Sequence, residues 1–216
     1  SKIDAIRDQL KIWSDAGLDS LAVDRLTHDL ILSTNKVANI SGTYGYYCAN
    51  YTKSSLGGLA LVTSPIVDFS QKNKVYHKSL DDLALTIEAD AFYLDPPYTK
   101  RQYGGNYHIP ETIGNHDKPE PAGEGGLRDW KIDSSDFCYK RKVREAFSKS
   151  ISLIKAKYIF ISYSDDGQLP SAELELLLEK FGALQKFETK LARFKSNSAG
   201  LDKKFVTETL YVLEKK

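Results

Sequence analysis

The stretch AFYLDPPY at residues 91–98 decides the fold, because it joins an apolar run directly to a short rigid turn. Ala91–Leu94 is apolar throughout, as in a strand that is buried within an α/β sheet. The DPPY residues at 95–98 follow without a spacer, so they lie where this strand ends. Open α/β sheets bind their ligands at the carboxyl ends of the strands. The sequence therefore predicts an α/β fold with a functional site at residues 95–98.

The residue types of this motif suit a group that carries two N–H donors, such as the exocyclic amino group of adenine. Asp95 supplies a carboxylate acceptor, and the carbonyl of Pro96 supplies a second one, held rigidly because Pro96 and Pro97 restrict the backbone. Accepting both hydrogens draws the nitrogen toward tetrahedral geometry and frees its lone pair. Tyr98 offers a flat face for a base taken out of the duplex. The structural alternative is a proline turn with a capping aspartate and a surface tyrosine.

Helical and strand-like patterns flank the motif on both sides. Apolar residues at helical spacing predict helices at residues 3–15, 20–37, 80–87, 139–155 and 171–180. Apolar or alternating runs predict further strands at residues 59–62, 66–69, 158–163, 183–190 and 205–213. Polar stretches rich in glycine predict loops at residues 40–58 and 99–136. The alternation of strands with helices favours an α/β sheet.

The composition is that of an ordinary globular chain. It has 216 residues, of which 41% are hydrophobic and 27% charged, with a net charge of +1. A nucleic-acid partner would therefore need a local basic patch, and lysines and arginines do cluster at residues 140–144 and 190–204. A solvated surface explains either cluster equally well. Cys48 and Cys138 predict neither a disulfide framework nor a metal site, which favours a reducing cytoplasm. No apolar run approaches the ~18 residues of a membrane span.

Beyond the motif, the chain resembles the DNA adenine-specific (N6-adenine) methyltransferases of the alpha motif order. The matching segments are NISGTYG (39–45), TKRQY (99–103), NYH (106–108), ETI (111–113), ISYSDDG (161–167), RFKSN (193–197) and TETLYVL (207–213). The resemblance implies a Rossmann-like S-adenosylmethionine-dependent methyltransferase fold, with S-adenosyl-L-methionine as the methyl donor and double-stranded DNA as the partner. The chain is similar to the carboxyl-terminal two thirds of such enzymes.

The resemblance also assigns roles to residues. It makes Asp95, Pro96, Pro97 and Tyr98 catalytic and adds Asp95 to the cofactor contacts. Ser79 stands where these enzymes offer an aspartate to the adenine of the cofactor, and a shift would bring Asp81 or Asp82 there instead. Candidate DNA contacts lie on the loop after the motif: Arg101, Tyr103, Tyr107 and His108. Packing of the tyrosines within the loop and a hydrogen-bonded His108 explain these residues equally well.

One element of the family pattern is absent, namely the Phe-x-Gly-x-Gly turn that holds the methionine end of the cofactor. Gly42, Gly45 and the pair at 57–58 read as loop glycines. The chain also has no methionine and starts within a predicted helix. We therefore expect a fold that is incomplete at its amino terminus, completed by a preceding segment or a complementary subunit. The sheet should then lack its central strands, which leaves apolar edges such as Tyr93 and Ile159 in need of a neighbour.

These patterns divide the chain into a helical and loop accessory region at residues 1–70, with a possible role in DNA recognition, and a catalytic part at residues 71–216. The favoured function is a site-specific DNA methyltransferase that modifies the amino group of adenine, the modification enzyme of a restriction system. The same motif is compatible with an RNA base methyltransferase. Because the glycine turn is absent, a noncatalytic nucleic-acid-binding fragment or subunit is a further alternative.

Overall fold

The computed structural model describes residues 1–40, 42–46, 48–67, 71–192 and 204–216. These residues form two compact units, one made of Ser1–Lys72 with Tyr103–Asp133 and the other of Asn73–Gln102 with Ser134–Lys216. Residues 103–133 thus belong to the first unit, whereas the sequence pattern groups them with the catalytic part. The functional division at residue 70 stays a prediction.

The regular elements are numbered in chain order. The helices are α1 (Lys2–Asp15), α2 (Ser20–Val37), α3 (Leu80–Thr86), α4 (Tyr103–Asn106), α5 (His108–Gly114), α6 (Val143–Leu153) and α7 (Ser171–Leu178). The strands are β1 (Ala91–Leu94), β2 (Tyr158–Ser164), β3 (Gly182–Ala192) and β4 (Phe205–Lys215). Short 3-10 helices occupy Lys131–Asp133 and Asp136–Cys138.

The second unit is built around a mixed sheet with the strand order β1-β2-β4-β3. Strand β1 runs parallel to β2, and β4 runs antiparallel to both β2 and β3. The prediction of an α/β fold with a central sheet is confirmed, as are the four strands of this unit. Apolar side chains from the sheet, α6 and α7 form one core, which includes Leu94, Phe147, Ile161 and Leu174.

Strand β1 is an edge of this sheet in the described part of the chain, because β2 is its partner there. The alternation of a strand directs Leu94 into the core and leaves Tyr93 65% exposed on this edge strand. The prediction for Ile159 is wrong, since its side chain is 0% exposed. Ile159 lies on β2, which is flanked by β1 and β4, and its side chain belongs to the core of the unit.

The first unit is helical, with a small core of Leu10, Leu30 and Ile113. The strands predicted at 59–62 and 66–67 do not form, and residues 68–69 lie outside the described residues. The backbone in this stretch forms hydrogen bonds with side chains of α2 instead. The N–H of Val62 donates to Ser33, and that of Ser64, between the two predicted strands, donates to Asp29. The predicted loop at 99–136 is also wrong in part, because it contains α4 and α5.

Polar side chains connect the helices of the first unit. The guanidinium of Arg7 on α1 donates to the carbonyl of Thr112, within α5, and to that of Asp117, beyond it. Arg128 forms a two-point ion pair with Asp117, with nitrogen–oxygen distances of 3.1 and 2.6 Å. Such planar two-point pairs fix orientation as well as distance. No described helix of either unit has the length and apolar character needed to cross a membrane.

Candidate active site

The DPPY motif leaves the sheet at the carboxyl end of β1. Leu94 pairs with Ile161 of β2, and β2 continues to Ser164, so the motif lies beside the last residues of that strand. Asp95 is exposed, whereas Pro96 is buried. The rigid proline therefore anchors the turn in the protein while the carboxylate remains accessible to a ligand.

Tyr98 is fixed at three points by residues from two other segments. Its carbonyl accepts a hydrogen bond of 2.8 Å from the backbone N–H of Gln168. Its ring meets that of Tyr163 edge-on, with centroids 6.0 Å apart and planes at 71°. Its hydroxyl donates to Oε1 of Glu208 on β4 at 3.4 Å. The aromatic ring of the motif thus has a defined position rather than that of a loose surface tyrosine.

Three aromatic rings pack one against the next and support Tyr98 on its core side. Tyr163 packs edge-on against Phe147, with centroids 5.4 Å apart, and Phe147 packs in the same way against Phe137 at 4.9 Å. The Tyr163 hydroxyl accepts a hydrogen bond from the N–H of Leu169, and burial raises the pKa of this phenol. Gly167 lies against the Tyr163 ring so closely that a Cβ at this position would overlap it.

The amide side chain of Gln102 and the thiol of Cys138 attach the segment that follows the motif to the second unit. Gln102 donates from Nε2 to the carbonyl of Ser135 at 3.1 Å and accepts at Oε1 from the Ser135 N–H at 2.8 Å. The thiol of Cys138 donates to the carbonyl of Arg101, and burial raises the pKa of that thiol. The backbone of Arg101 is therefore held, while its side chain is exposed.

The other three candidate DNA contacts belong to the first unit. Tyr103 and Tyr107 are exposed and meet edge to face, with ring centroids 5.9 Å apart. His108 is only 2% exposed, and burial lowers its pKa. The two tyrosines are thus available to a partner, whereas His108 has the burial of a packing residue.

Ser79 has a structural task in this conformation. It is the N-cap of α3, where its hydroxyl accepts from the N–H of Asp82 at 3.1 Å and donates to the Asp82 carboxylate at 2.7 Å. Asp81 pairs with Lys149 and accepts from the Ser150 hydroxyl, both at 2.8 Å. A cofactor role for Ser79 remains a prediction, because these contacts already account for the residue.

Sequence reasoning gave no role to three residues that surround Tyr98, namely Tyr163, Gln168 and Glu208. They lie within or next to the segments that match the methyltransferase pattern. That position was the feature of the sequence that could have pointed to them. The matching segment at 193–197 and most of the second basic cluster lie outside the described residues. In the first basic cluster, Lys142 pairs with Asp136 and Arg144 with Glu173.

No metal site accompanies these residues in the described ranges, where no group of at least three histidine, cysteine or acidic side chains is suitably placed. Asp165 and Asp166 occupy the turn after β2, which the N–H of Gly167 closes by donating to the Ser164 carbonyl at 2.9 Å. Both cysteines carry free thiols.

Comparison with known proteins places the chain in a family. Residues 1–173 match the family described as D12 class N6 adenine-specific DNA methyltransferase. The chain belongs to this family. The match covers both segments of the first unit, the motif itself and the three aromatic rings that support Tyr98.

Relatives among characterised proteins agree with the family. The chain is 38% identical over 183 residues to the type II methyltransferase M.FokI of Planomicrobium okeanokoites, covering 84% of this chain and 28% of that protein. It is 34% identical over 201 residues to the type II methyltransferase M.NlaIII of Neisseria lactamica. This match covers 91% of this chain and 58% of that protein. The modification methylase StsI of Streptococcus sanguinis is 30% identical over 219 residues. This match covers 100% of this chain and 33% of that protein.

The chain thus spans between 28% and 58% of the lengths of these three relatives. No solved structure matches it.

Proposed function

We propose that the protein transfers a methyl group from S-adenosyl-L-methionine to the exocyclic amino group of adenine in double-stranded DNA, as the modification enzyme of a restriction system. The observation that carries this proposal is the DPPY motif at the carboxyl end of β1, with an accessible Asp95 and a supported Tyr98 ring, in a member of the D12 family. Two relatives are named type II methyltransferases and a third a modification methylase.

The motif residues act on the amino group of the target base. Asp95 and the carbonyl of Pro96 accept its two N–H bonds, and this frees the nitrogen lone pair. An adenine held in this way reacts without prior loss of a proton, so the site needs no strong general base. Acceptors that are preorganised around a developing charge are among the largest contributions to catalysis.

Tyr98 holds the flipped adenine by stacking. An enzyme that modifies a base inside a duplex must first take that base out of the stack, and an aromatic face repays part of the free energy lost. The ring is suited to this because Tyr163 and Gln168 already restrain it. Arg101, Tyr103 and Tyr107 are exposed and contact the DNA around the target.

The cofactor supplies an electrophilic methyl group when it is bound. An accessible carboxylate such as Asp95 fits a cofactor that carries positive charge, whereas the Ser79 hydroxyl is already engaged with Asp82. We further propose a Rossmann-like sheet in which additional chain pairs with β1 and completes the cofactor site. The exposed edge residue Tyr93 and the larger size of the relatives support this.

The first unit takes part in recognition of the DNA sequence in this proposal, since it carries Tyr103 and Tyr107 and the long polar loop after α2. The protein acts in the cytoplasm, where its two free thiols would stay reduced.

The test is transfer of a labelled methyl group to duplex DNA and, in parallel, to structured RNA, followed by mapping of the modified base. We expect labelled N6-methyladenine at one short sequence in DNA and none in RNA. Transfer to RNA alone would support an RNA base methyltransferase. DNA binding without transfer by the protein at its natural length would support a noncatalytic subunit.

A further inference from the structure

Glu208 stands out because it is an acidic side chain in contact with the stacking ring, and the chemistry proposed above does not use it. Its Oε1 accepts the hydrogen bond of the Tyr98 hydroxyl at 3.4 Å, although the two residues are 110 positions apart. Glu208 pairs with Ser164, the last residue of β2, and with Thr189 of β3. Strands on both sides therefore hold its backbone at the end of the sheet where β2 finishes and the motif lies.

The described contacts restrain Tyr98 at its base and along one side of its ring, and the bond to Glu208 adds a restraint at the hydroxyl. The hydrogen bond from Gln168 fixes the backbone, and the edge of Tyr163 limits the ring from one side. A phenol ring can swing about its base unless its tip is also restrained. The acceptor oxygen of Glu208, 3.4 Å from the hydroxyl, restrains the tip.

We propose that Glu208 is a positioning residue that fixes the Tyr98 ring in the orientation in which it stacks on the extruded adenine. This inference rests on the proposed function. A ring that is already ordered loses less conformational freedom when the base stacks on it, so the flipped state is populated more. DNA binding itself depends mainly on contacts to the phosphate backbone, which Glu208 does not make in this proposal.

The test compares Glu208→Ala with Glu208→Gln in the enzyme at its natural length. We expect Glu208→Ala to lower kcat by about two- to ten-fold, as for loss of one ordinary hydrogen bond, with an unchanged Kd for DNA. The fluorescence gain of 2-aminopurine at the target position should fall with kcat. Glu208→Gln keeps an acceptor oxygen and should restore both. The control is Glu214→Ala on the same strand, whose partner is Lys157, and it should behave as wild type.

Tyr98→Phe removes the same bond from the other side and keeps the ring. It should reproduce the loss of kcat and of the fluorescence gain, and Glu208→Ala should then add nothing. This variant also serves if Glu208→Ala fails to fold. A full fluorescence gain in Tyr98→Phe, or additive effects in the double variant, would overturn the proposal. Absence of methyl transfer by the wild-type enzyme would refute the proposed function instead, and the two failures are therefore distinct.

Discussion

The two units hold their functional segments by different means. In the second unit, the motif rests on a sheet and on buried rings, so that Tyr98 is supported by Tyr163 and Phe147. In the first unit, single polar side chains hold the segments between helices. The N–H of Thr52, for example, donates to Asn39 at 3.0 Å, and that of Ser64 to Asp29 at 3.1 Å.

In the proposed function, this difference corresponds to a division between chemistry in the second unit and DNA recognition in the first. A reaction site needs atoms fixed to a fraction of an ångström, and packed sheets provide that rigidity. A surface that reads DNA can be retuned by changing loops whose backbone is held by few contacts. We therefore expect core substitutions in the second unit to have large effects confined to that unit, and polar substitutions in the first unit to have local effects.

The largest expected effect follows from Phe147→Ala. Phe147 is fully buried between Phe137 and Tyr163, and such truncations cost about 3–5 kcal/mol. Hydrogen exchange followed by mass spectrometry should show faster exchange throughout β1, β2 and β4 and little change in α1 and α2. Phe187→Ala, at an exposed position of β3, is the control. Equal destabilisation of both units by Phe147→Ala would refute the separation between them.

A smaller effect is expected from Gly167→Ala. The new methyl group would overlap the Tyr163 ring, and such overpacking costs about 1–3 kcal/mol. Because Tyr163 supports Tyr98, the fluorescence gain of 2-aminopurine should also fall. Gly114→Ala is the matched control, since a Cβ there meets nothing within 4 Å. If both variants melt at the wild-type temperature, Gly167 does not pack closely against the Tyr163 ring.

The smallest effect is a change of pH profile in the first unit. Burial of Asp29 acts to raise its pKa, but hydrogen bonds from Ser64 and Arg25 outweigh it and lower the pKa from 3.8 to about 2. The charged form therefore stabilises the fold above pH 3.8, and this contribution is lost as the pH falls toward 2.

Urea unfolding of Asp29→Asn between pH 6 and the acid limit measures this contribution. The variant should be less stable than wild type at pH 6, and the gap should close as the medium is acidified. Asp24→Asn on the exposed side of α2 should keep the wild-type profile. A gap that stays constant with pH would mean that Asp29 does not titrate as described.

The same contrast explains what the sequence could predict. Apolar periodicity identifies the elements of the second unit, and the DPPY motif follows one of them, so its position at the end of β1 was predictable. The contact between Tyr98 and Glu208 was not, because pairing across 110 residues depends on the register of β2 with β4. In the first unit, the apolar run at 59–62 suggested a strand, but Ser33 accepts the hydrogen bond of Val62 instead.

The two helices inside the predicted loop were missed for a related reason. Helix α4 contains two glycines, which disfavour a helix on their own. They fit here because Trp130 packs directly against Gly104 and Gly105. Local propensity therefore pointed to a loop, and a contact with a residue much later in the chain favoured the helix.

The central claim is that Asp95 activates the amino group of the target base, and methyl transfer by Asp95→Ala in the enzyme at its natural length tests it most directly. The control is Asp90→Ala, an exposed aspartate just before β1. We expect Asp95→Ala to bind DNA with wild-type affinity and to transfer methyl groups about a hundred- to a thousand-fold more slowly, as for loss of a preorganised acceptor. Retention of more than about a tenth of the wild-type rate by Asp95→Ala would contradict it.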